Sequence, residues 1–324
     1  MHLREHALIG AAAKIPISAP RPVMSFSPVV LPFADRKVDL ELRVSVPSTG
    51  DALPIILLSH GHGRSNYLSS LEGYAPLSSF WAGHGFAVIQ PTHLSSKSLS
   101  LQSPTGQELL WQSRAQDMVR ILDELDTIEA AVPALKGRLD RSRIAVAGHS
   151  LGALTASMLL GMKNTDPRDG SSVQTHEKRI KAGVILAGPG NGGSDLSEFG
   201  RSQLVPFYGP DFSTMTTPAL VVCGDEDVGP HLTVRGMDWH ADSYRLAPGP
   251  KALFMLKSGK HCLGGISGWD AKESADEESP ERLAAVQRMT WAYLMSQLYD
   301  GNKAWDEACE ALGGLGELGT VETR

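Results

Sequence analysis

The chain has 324 residues, 42% hydrophobic and 20% charged, with 33 glycines and 20 prolines. That composition excludes disordered, collagen-like and low-complexity chains and suffices for a large core. Thirty basic against thirty-six acidic side chains leave a net charge of −6, which offers no overall attraction to a phosphate backbone, so no nucleic-acid partner is expected.

The cysteines are Cys223, Cys262 and Cys309, with no C-x-x-C pair. They write neither a disulfide framework nor a zinc site and suit a reducing compartment. Near the N-terminus the apolar stretch 7–13 is preceded by His2, Arg4, Glu5 and His6 and ended by Lys14, a poor pattern for a signal peptide. No run approaches the roughly 20 apolar residues a membrane span needs. The expectation is a soluble, cytoplasmic protein with no membrane span, export being the alternative.

In chain order, residues 38–46 (VDLELRVSV) alternate like an early antiparallel strand. Residues 54–59 (PIILLS), 86–90 (FAVIQ), 143–147 (RIAVA), 182–187 (AGVILA), 219–223 (ALVVC) and 252–256 (ALFML) are near-continuous apolar runs. Such runs are buried on both faces, as central parallel strands are. Met118, Ile121, Leu122, Leu125 and Ile128 recur at helical spacing and predict one amphipathic helix; Leu283, Val286, Tyr293, Leu294 and Leu298 predict another after Pro280. The alternation of strand and helix predicts an α/β fold with a mostly parallel sheet. No repeat or linker divides the chain. It reads as an N-terminal extension (1–24), one domain (25–300) and a C-terminal tail (301–324) that frays after Gly313. The acidic run 272–282 reads as a solvated loop.

Gly148-His149-Ser150-Leu151-Gly152 is a G-x-S-x-G pentapeptide between a predicted strand and an apolar segment, 153–162. The pentapeptide alone recurs by chance, but strand before and helix after are the setting of a nucleophile elbow. A serine N-cap on a buried helix is the plainer reading. A serine hydroxyl is a weak nucleophile and needs a base, which needs an orienting carboxylate, so an acid and a histidine are expected further on, in that order. Gly224-Asp225-Glu226-Asp227 follows one predicted strand, with Asp227 the first choice and Asp225 the second. His261 follows the next; His231 and His240 are also late in the chain but follow no sheet strand directly.

A tetrahedral intermediate needs preorganised N–H donors for its oxyanion. His60-Gly61-His62-Gly63 lies directly after a strand and supplies one, assigned to His62 with Gly63 as alternative; Leu151, after the nucleophile, supplies the other. Two further patterns are discounted. Gly188 to Gly193 match G-x-G-x-x-G, but no helical pattern follows and Pro189 stiffens the turn. His60 and His62 form an H-x-H pair without a third ligand near by, and His84 and His93 read as loop or core histidines, so no metal is expected.

The segments from Leu57 (LLSHGHGRSNYLSS), Ile89 (IQPTHL), Ile144 (IAVAGHSLGA), Asp211 (DFSTMTTPALVVCGDEDVGPHLTVRG) and His261 (HCLGGISGWD) resemble a bacterial group of α/β-hydrolases similar to chlorophyllases and dienelactone hydrolases. More remotely they resemble platelet-activating-factor acetylhydrolases and cutinase-like polyester hydrolases. The resemblance runs from about Phe26 to Tyr299. It implies an α/β-hydrolase fold without a large cap domain and a serine carboxylic-ester hydrolase with no cofactor. The family's nucleophile falls on Ser150, its acid on Asp227 and its base on His261. Ala153, where a second glycine often follows, and Cys262, directly after the base, depart from the pattern.

The expected substrate is a medium-sized, largely apolar ester, with Gly63, His149, Phe207, Tyr208, Phe212, Trp239, Cys262 and Trp269 as candidate pocket residues and residues 188–217 as a flap. A lactonase, thioesterase, amidase or acyltransferase would use the same triad, and a catalytically silent binding protein is the alternative from another class. Neither physiological substrate nor oligomeric state is written in the sequence.

Overall fold

The apolar runs form the middle of one sheet. The computed structural model describes residues 7–103, 108–270, 272–273 and 278–324. Its strands are β1 (Val23–Leu31), β2 (Leu40–Pro47), β3 (Leu53–Ser59), β4 (Ala87–Pro91), β5 (Leu139–His149), β6 (Lys163–Thr165), β7 (Ser172–Gln174), β8 (Ile180–Leu186), β9 (Pro210–Asp211), β10 (Ala219–Gly224), β11 (Lys251–Leu256) and β12 (Gly319–Thr323). The helices are α1 (Ala75–Gly83), α2 (Trp111–Asp123), α3 (Leu125–Ala131), α4 (Leu151–Leu159), α5 (Asp242–Arg245), α6 (Pro280–Leu298) and α7 (Ala304–Gly313).

The main sheet runs β1-β2-β4-β3-β5-β8-β10-β11-β12, and β7-β6-β9 form a small second sheet. Pairing is parallel from β4 through β11, while β1, β2 and β12 join antiparallel at the edges. Alternation along each central strand feeds two cores. Ile55 and Leu57 of β3, Val146 of β5 and Val221 of β10 face α2, α3 and α4, with Met118, Leu125 and Leu154. Ile56, Leu58, Ala147 and Val222 face α1, α6 and α7, with Trp81, Val286 and Ala308. This is why the runs read as continuous: both faces are covered.

Two elements differ from expectation. The helix expected through Met118 and Ile128 is two helices, broken at Glu124, whose φ of −103° and ψ of 19° leave the helical region; the apolar spacing survives the break because both pieces pack on one core. The residues after Gly313 are not frayed. They form β12, which pairs with β11 from Ala252↔Thr323 to Leu256↔Gly319. A short polar edge strand carries no alternation to read, and its register is set by its neighbour.

At the other end, Ala12 and Ile15 are buried and the Ala11 N–H donates to Glu281 at 2.6 Å. Residues 1–6 and, within the acidic run, 274–277 lie outside the described residues. Within 188–217 only short turns (Gly193–Asp195, Gly200–Leu204, Phe212–Thr214) and β9 occur, so no cap domain is built there. Among the described residues no helix is long and apolar enough to cross a membrane.

Candidate active site

Parallel strands end on the same side, and the carboxyl edge gathers the turns after β3, β5, β10 and β11. Ser150 sits at the centre, between β5 and α4, with φ 55° and ψ −119°. A non-glycine residue there carries strain of order 1–3 kcal/mol, held by its surroundings. The turn closes because its flanks are bare: a Cβ on Gly148 would overlap the Gly152 carbonyl, and one on Gly152 would overlap the carbonyls of Ser59 and His60. Ser150 is half-buried at the head of α4, and Leu151 opens that helix, where an N–H has no intrahelical partner.

The acid and base turns are neighbours because β10 and β11 are paired. Glu226 N–H donates to the Gly259 carbonyl at 2.8 Å and Asp225 N–H to that of Leu256 at 3.1 Å. The two candidate acids then diverge. Asp225 reaches out to Lys257 at 2.8 Å, whereas Asp227, 3% exposed, meets His261 Nδ1 at 3.0 and 3.2 Å. Burial alone would raise the Asp227 carboxyl, but the charges of His261 and His240 and the hydrogen bonds from both hold it far below the usual carboxylate range. The His261 side chain is 40% exposed.

His149 ends β5. It is buried, its Nε2 donates to the His261 carbonyl at 2.8 Å and its Nδ1 lies 2.7 Å from the Tyr74 hydroxyl, which takes the Gly61 N–H at 3.0 Å. This chain joins the turns after β3, β5 and β11. Burial, then the neighbouring His261, lowers His149 to about 3, so it stays neutral.

In the loop after β3, Tyr74 takes the Gly61 N–H, and Glu273 accepts those of Arg64 and Ser65. Among the described residues nothing takes up the N–H of His62 or Gly63. Beneath lies a network that no motif announces. Arg114 of α2 donates to the His60 carbonyl, to Ser59 Oγ at 3.3 Å, to Ser95 Oγ at 2.7 Å and to Thr155 Oγ1 at 3.0 Å. His93 bridges Ser59 Oγ and Asp117, each at 3.0 Å, and Arg36 pairs with Asp117 at 3.0 and 3.3 Å.

His60 donates to the Gly61 carbonyl and accepts the His93 N–H, so both its nitrogens are used within the loop. Burial and then the Arg114 charge hold His60 and His93 well below the ordinary histidine value, and bring His62 to about 4.

Several expected pocket residues serve as anchors instead. Phe207 is buried and stacks on Trp111 at 5.1 Å. Tyr208 donates to the Gly190 carbonyl at 2.8 Å and Trp239 to that of Asn191 at 2.8 Å; Phe212 is likewise buried. Cys262 is buried against the Glu273 carbonyl, while Gly63 is half-buried beside the Glu273 carboxylate. Trp269 is 68% exposed and, with Ser65, Asn66, Tyr67, Asp270 and Lys272, lines an open hollow beside the loop after β3.

The glycines at 188–193 have packing reasons: Gly190 lies against the Trp239 carbonyl and Gly192 against that of Tyr208, and only the single turn Gly193–Asp195 follows. Asp227, His240 and His261 offer ligand atoms within 4.8 Å of one another, a set that could hold a metal ion; His261 hydrogen-bonds Asp227 and His240 Nε2 lies 3.3 Å from Asp227 Oδ2. Sequence reasoning passed over Tyr74, Arg114 and Asp117, and set His240 and His93 aside.

No curated protein matches the chain. Residues 55–312 match the model of the alpha/beta hydrolase family, a span that takes in all four turns of the carboxyl edge, and the chain belongs to that family.

Proposed function

We propose that this hydrolase-family protein is a serine carboxylic-ester hydrolase acting through an acyl-enzyme on medium-sized, largely apolar esters. The observation that carries the reading is the strained Ser150, whose neighbour His149 bonds the His261 carbonyl, at the same sheet edge as a buried Asp227 that holds the accessible His261 by Nδ1. His261 takes the Ser150 proton as Oγ attacks the ester carbonyl carbon. The oxyanion is received by the N–H groups of His62 and Leu151, with Gly63 as the alternative to His62. Collapse of the tetrahedral intermediate expels the alcohol, which receives the proton from His261. Water, deprotonated by His261, then attacks the acyl-enzyme and releases the acid and Ser150. Every group in the cycle belongs to the chain, so no cofactor is invoked. The rings of Tyr67 and Trp269 at the hollow beside the loop after β3 would suit an apolar part of the substrate.

A panel of p-nitrophenyl esters of increasing acyl length, with thioester and anilide analogues, tests this. The wild type is expected to turn over esters fastest, and Ser150→Ala to lose about 10⁴-fold or more. A wild type that cleaves no ester overturns the reading, and full activity in Ser150→Ala overturns the nucleophile.

A further inference from the structure

Three turns carry the oxyanion donor, the nucleophile and the base of the proposed cycle, and one hydroxyl lies where they meet. Tyr74 stands just before α1 with φ 62° and ψ 16°, a left-handed backbone that a bulky residue seldom adopts. Its N–H donates to the Ser267 carbonyl at 2.9 Å, and its side chain is fully buried. There the hydroxyl takes the Gly61 N–H at 3.0 Å and lies 2.7 Å from His149 Nδ1, while His149 Nε2 lies 2.8 Å from the His261 carbonyl oxygen. The loop leaves room for this chain of bonds because residue 61 is bare: a Cβ there would come within 2.9 Å of the Tyr74 oxygen and 3.3 Å of His149 Nδ1.

Both ends fix the direction of the chain. A backbone N–H only donates and a carbonyl oxygen only accepts, so the Tyr74 oxygen accepts from Gly61 and His149 gives its Nε2 proton to His261. The Tyr74 O–H is left to donate to His149 Nδ1. Burial holds the phenol well above its ordinary value, so that proton stays in place. We infer that Tyr74 is a positioning residue for the reaction, a single hydroxyl that holds the oxyanion loop, the elbow and the base turn at fixed separations.

Each bond lands next to a reacting group. Gly61 immediately precedes His62, His149 immediately precedes Ser150, and the accepting carbonyl is that of His261 itself. Tyr74 therefore acts through the backbones it joins and needs no contact with substrate. An oxyanion exists only along the path to the tetrahedral intermediate, so a displaced N–H donor weakens the transition state more than the bound ester. The loss belongs in kcat rather than in KM.

This role rests on the reading of Ser150 and His261 as nucleophile and base, and two measurements separate the fates of the two. Nitrogen spectra of the histidine rings in the unaltered protein are expected to show His149 with its one proton on Nε2; a proton on Nδ1 overturns the chain of bonds whether or not any ester is cleaved. The second measurement compares a p-nitrophenyl ester with its thiono analogue in the wild type and in Tyr74→Phe, which keeps the ring and loses only the hydroxyl. On the oxygen ester, kcat is expected to fall by roughly 10- to 100-fold with KM within about twofold of wild type. A thiono sulfur is a weak acceptor, so its turnover should fall less, and the oxygen-to-thiono ratio of kcat/KM should shrink by about tenfold. His149→Gln, which removes Nδ1 and keeps a donor for the His261 carbonyl, is expected to lose a similar factor, and the double variant no more than either alone. Wild-type kcat in Tyr74→Phe, or a fall that is equal on the two esters, in protein whose activity depends on Ser150, overturns the inference and leaves the triad standing.

Discussion

Two constellations of serine, histidine and aspartate occur in this molecule. Ser150, His261 and Asp227 stand at the carboxyl edge of the sheet; Ser59, His93 and Asp117 stand one layer below. In both, a histidine meets the aspartate by Nδ1 at 3.0 Å, and in the lower one Nε2 meets the serine at 3.0 Å. They differ in everything else. The lower serine ends an ordinary strand, its histidine is 0% exposed, and guanidiniums from Arg114 and Arg36 cover its serine and its acid. The upper serine is strained to φ 55°, and its histidine is 40% exposed. On the proposed reading, three matching side chains do not by themselves make an active site: access, a serine presented by strain, and N–H groups left over for an oxyanion distinguish the upper set. The lower trio fixes the loop that holds those N–H groups.

The contrast can be broken by substituting matched members of each set. Ser150→Ala is expected to cost about 10⁴-fold or more in kcat/KM, whereas Ser59→Ala should stay within about tenfold and lose about 1–3 kcal/mol of stability. Comparable losses of turnover in the two variants would erase the distinction. For the acids, Asp227→Asn should lower kcat by about 10⁴ with little change in melting temperature. Asp117→Asn should do the reverse, costing about 3–5 kcal/mol in urea unfolding because Arg36 is left buried without its counter-charge. A stable Asp117→Asn protein would contradict the structural role given to the lower trio.

Gly152 joins the two sets, since its Cα packs on the Ser59 and His60 carbonyls. Gly152→Ala is expected to cost about 3 kcal/mol by overpacking and to impair turnover as well; a wild-type melting temperature would show that the contact gives way freely.

The smallest effect is on pH dependence. His60, His93 and His149 are buried and held below their unfolded value of 6.5. The unfolded chain binds protons there that the folded one does not, so the stability these groups contribute is complete above pH 6.5 and lost as pH falls below it. The loss is at most about 1.4 kcal/mol per pH unit for each. Asp117, whose carboxyl burial raises, opposes this in a window above its unfolded 3.8. Urea midpoints should therefore fall between pH 7 and pH 5; a rise would mean that the histidines are not held neutral.

Local geometry was legible in the sequence. The strands announced themselves by apolar runs because both faces of the sheet are covered, and the elbow, Asp227 and His261 follow strands by a few residues. The lower network was not legible because Arg36, Ser59, His93, Arg114 and Asp117 come from separate elements that only the packing of α2 brings together. His93 carried a faint signal, a histidine directly beyond β4. Phe207, Tyr208 and Trp239 looked like pocket walls because they sit on the right loops, yet each turns inward to anchor its loop. Strand β12 escaped because an edge strand takes its register from its neighbour.

The central claim, that one of two similar trios is the reactive one, is tested most directly by covalent trapping. The protein is treated with a fluorophosphonate, its intact mass measured, and the modified peptide mapped. The account predicts a single adduct on Ser150, absent from Ser150→Ala, with Ser59 unmodified. No adduct on the folded wild type, or an adduct on Ser59, would contradict it.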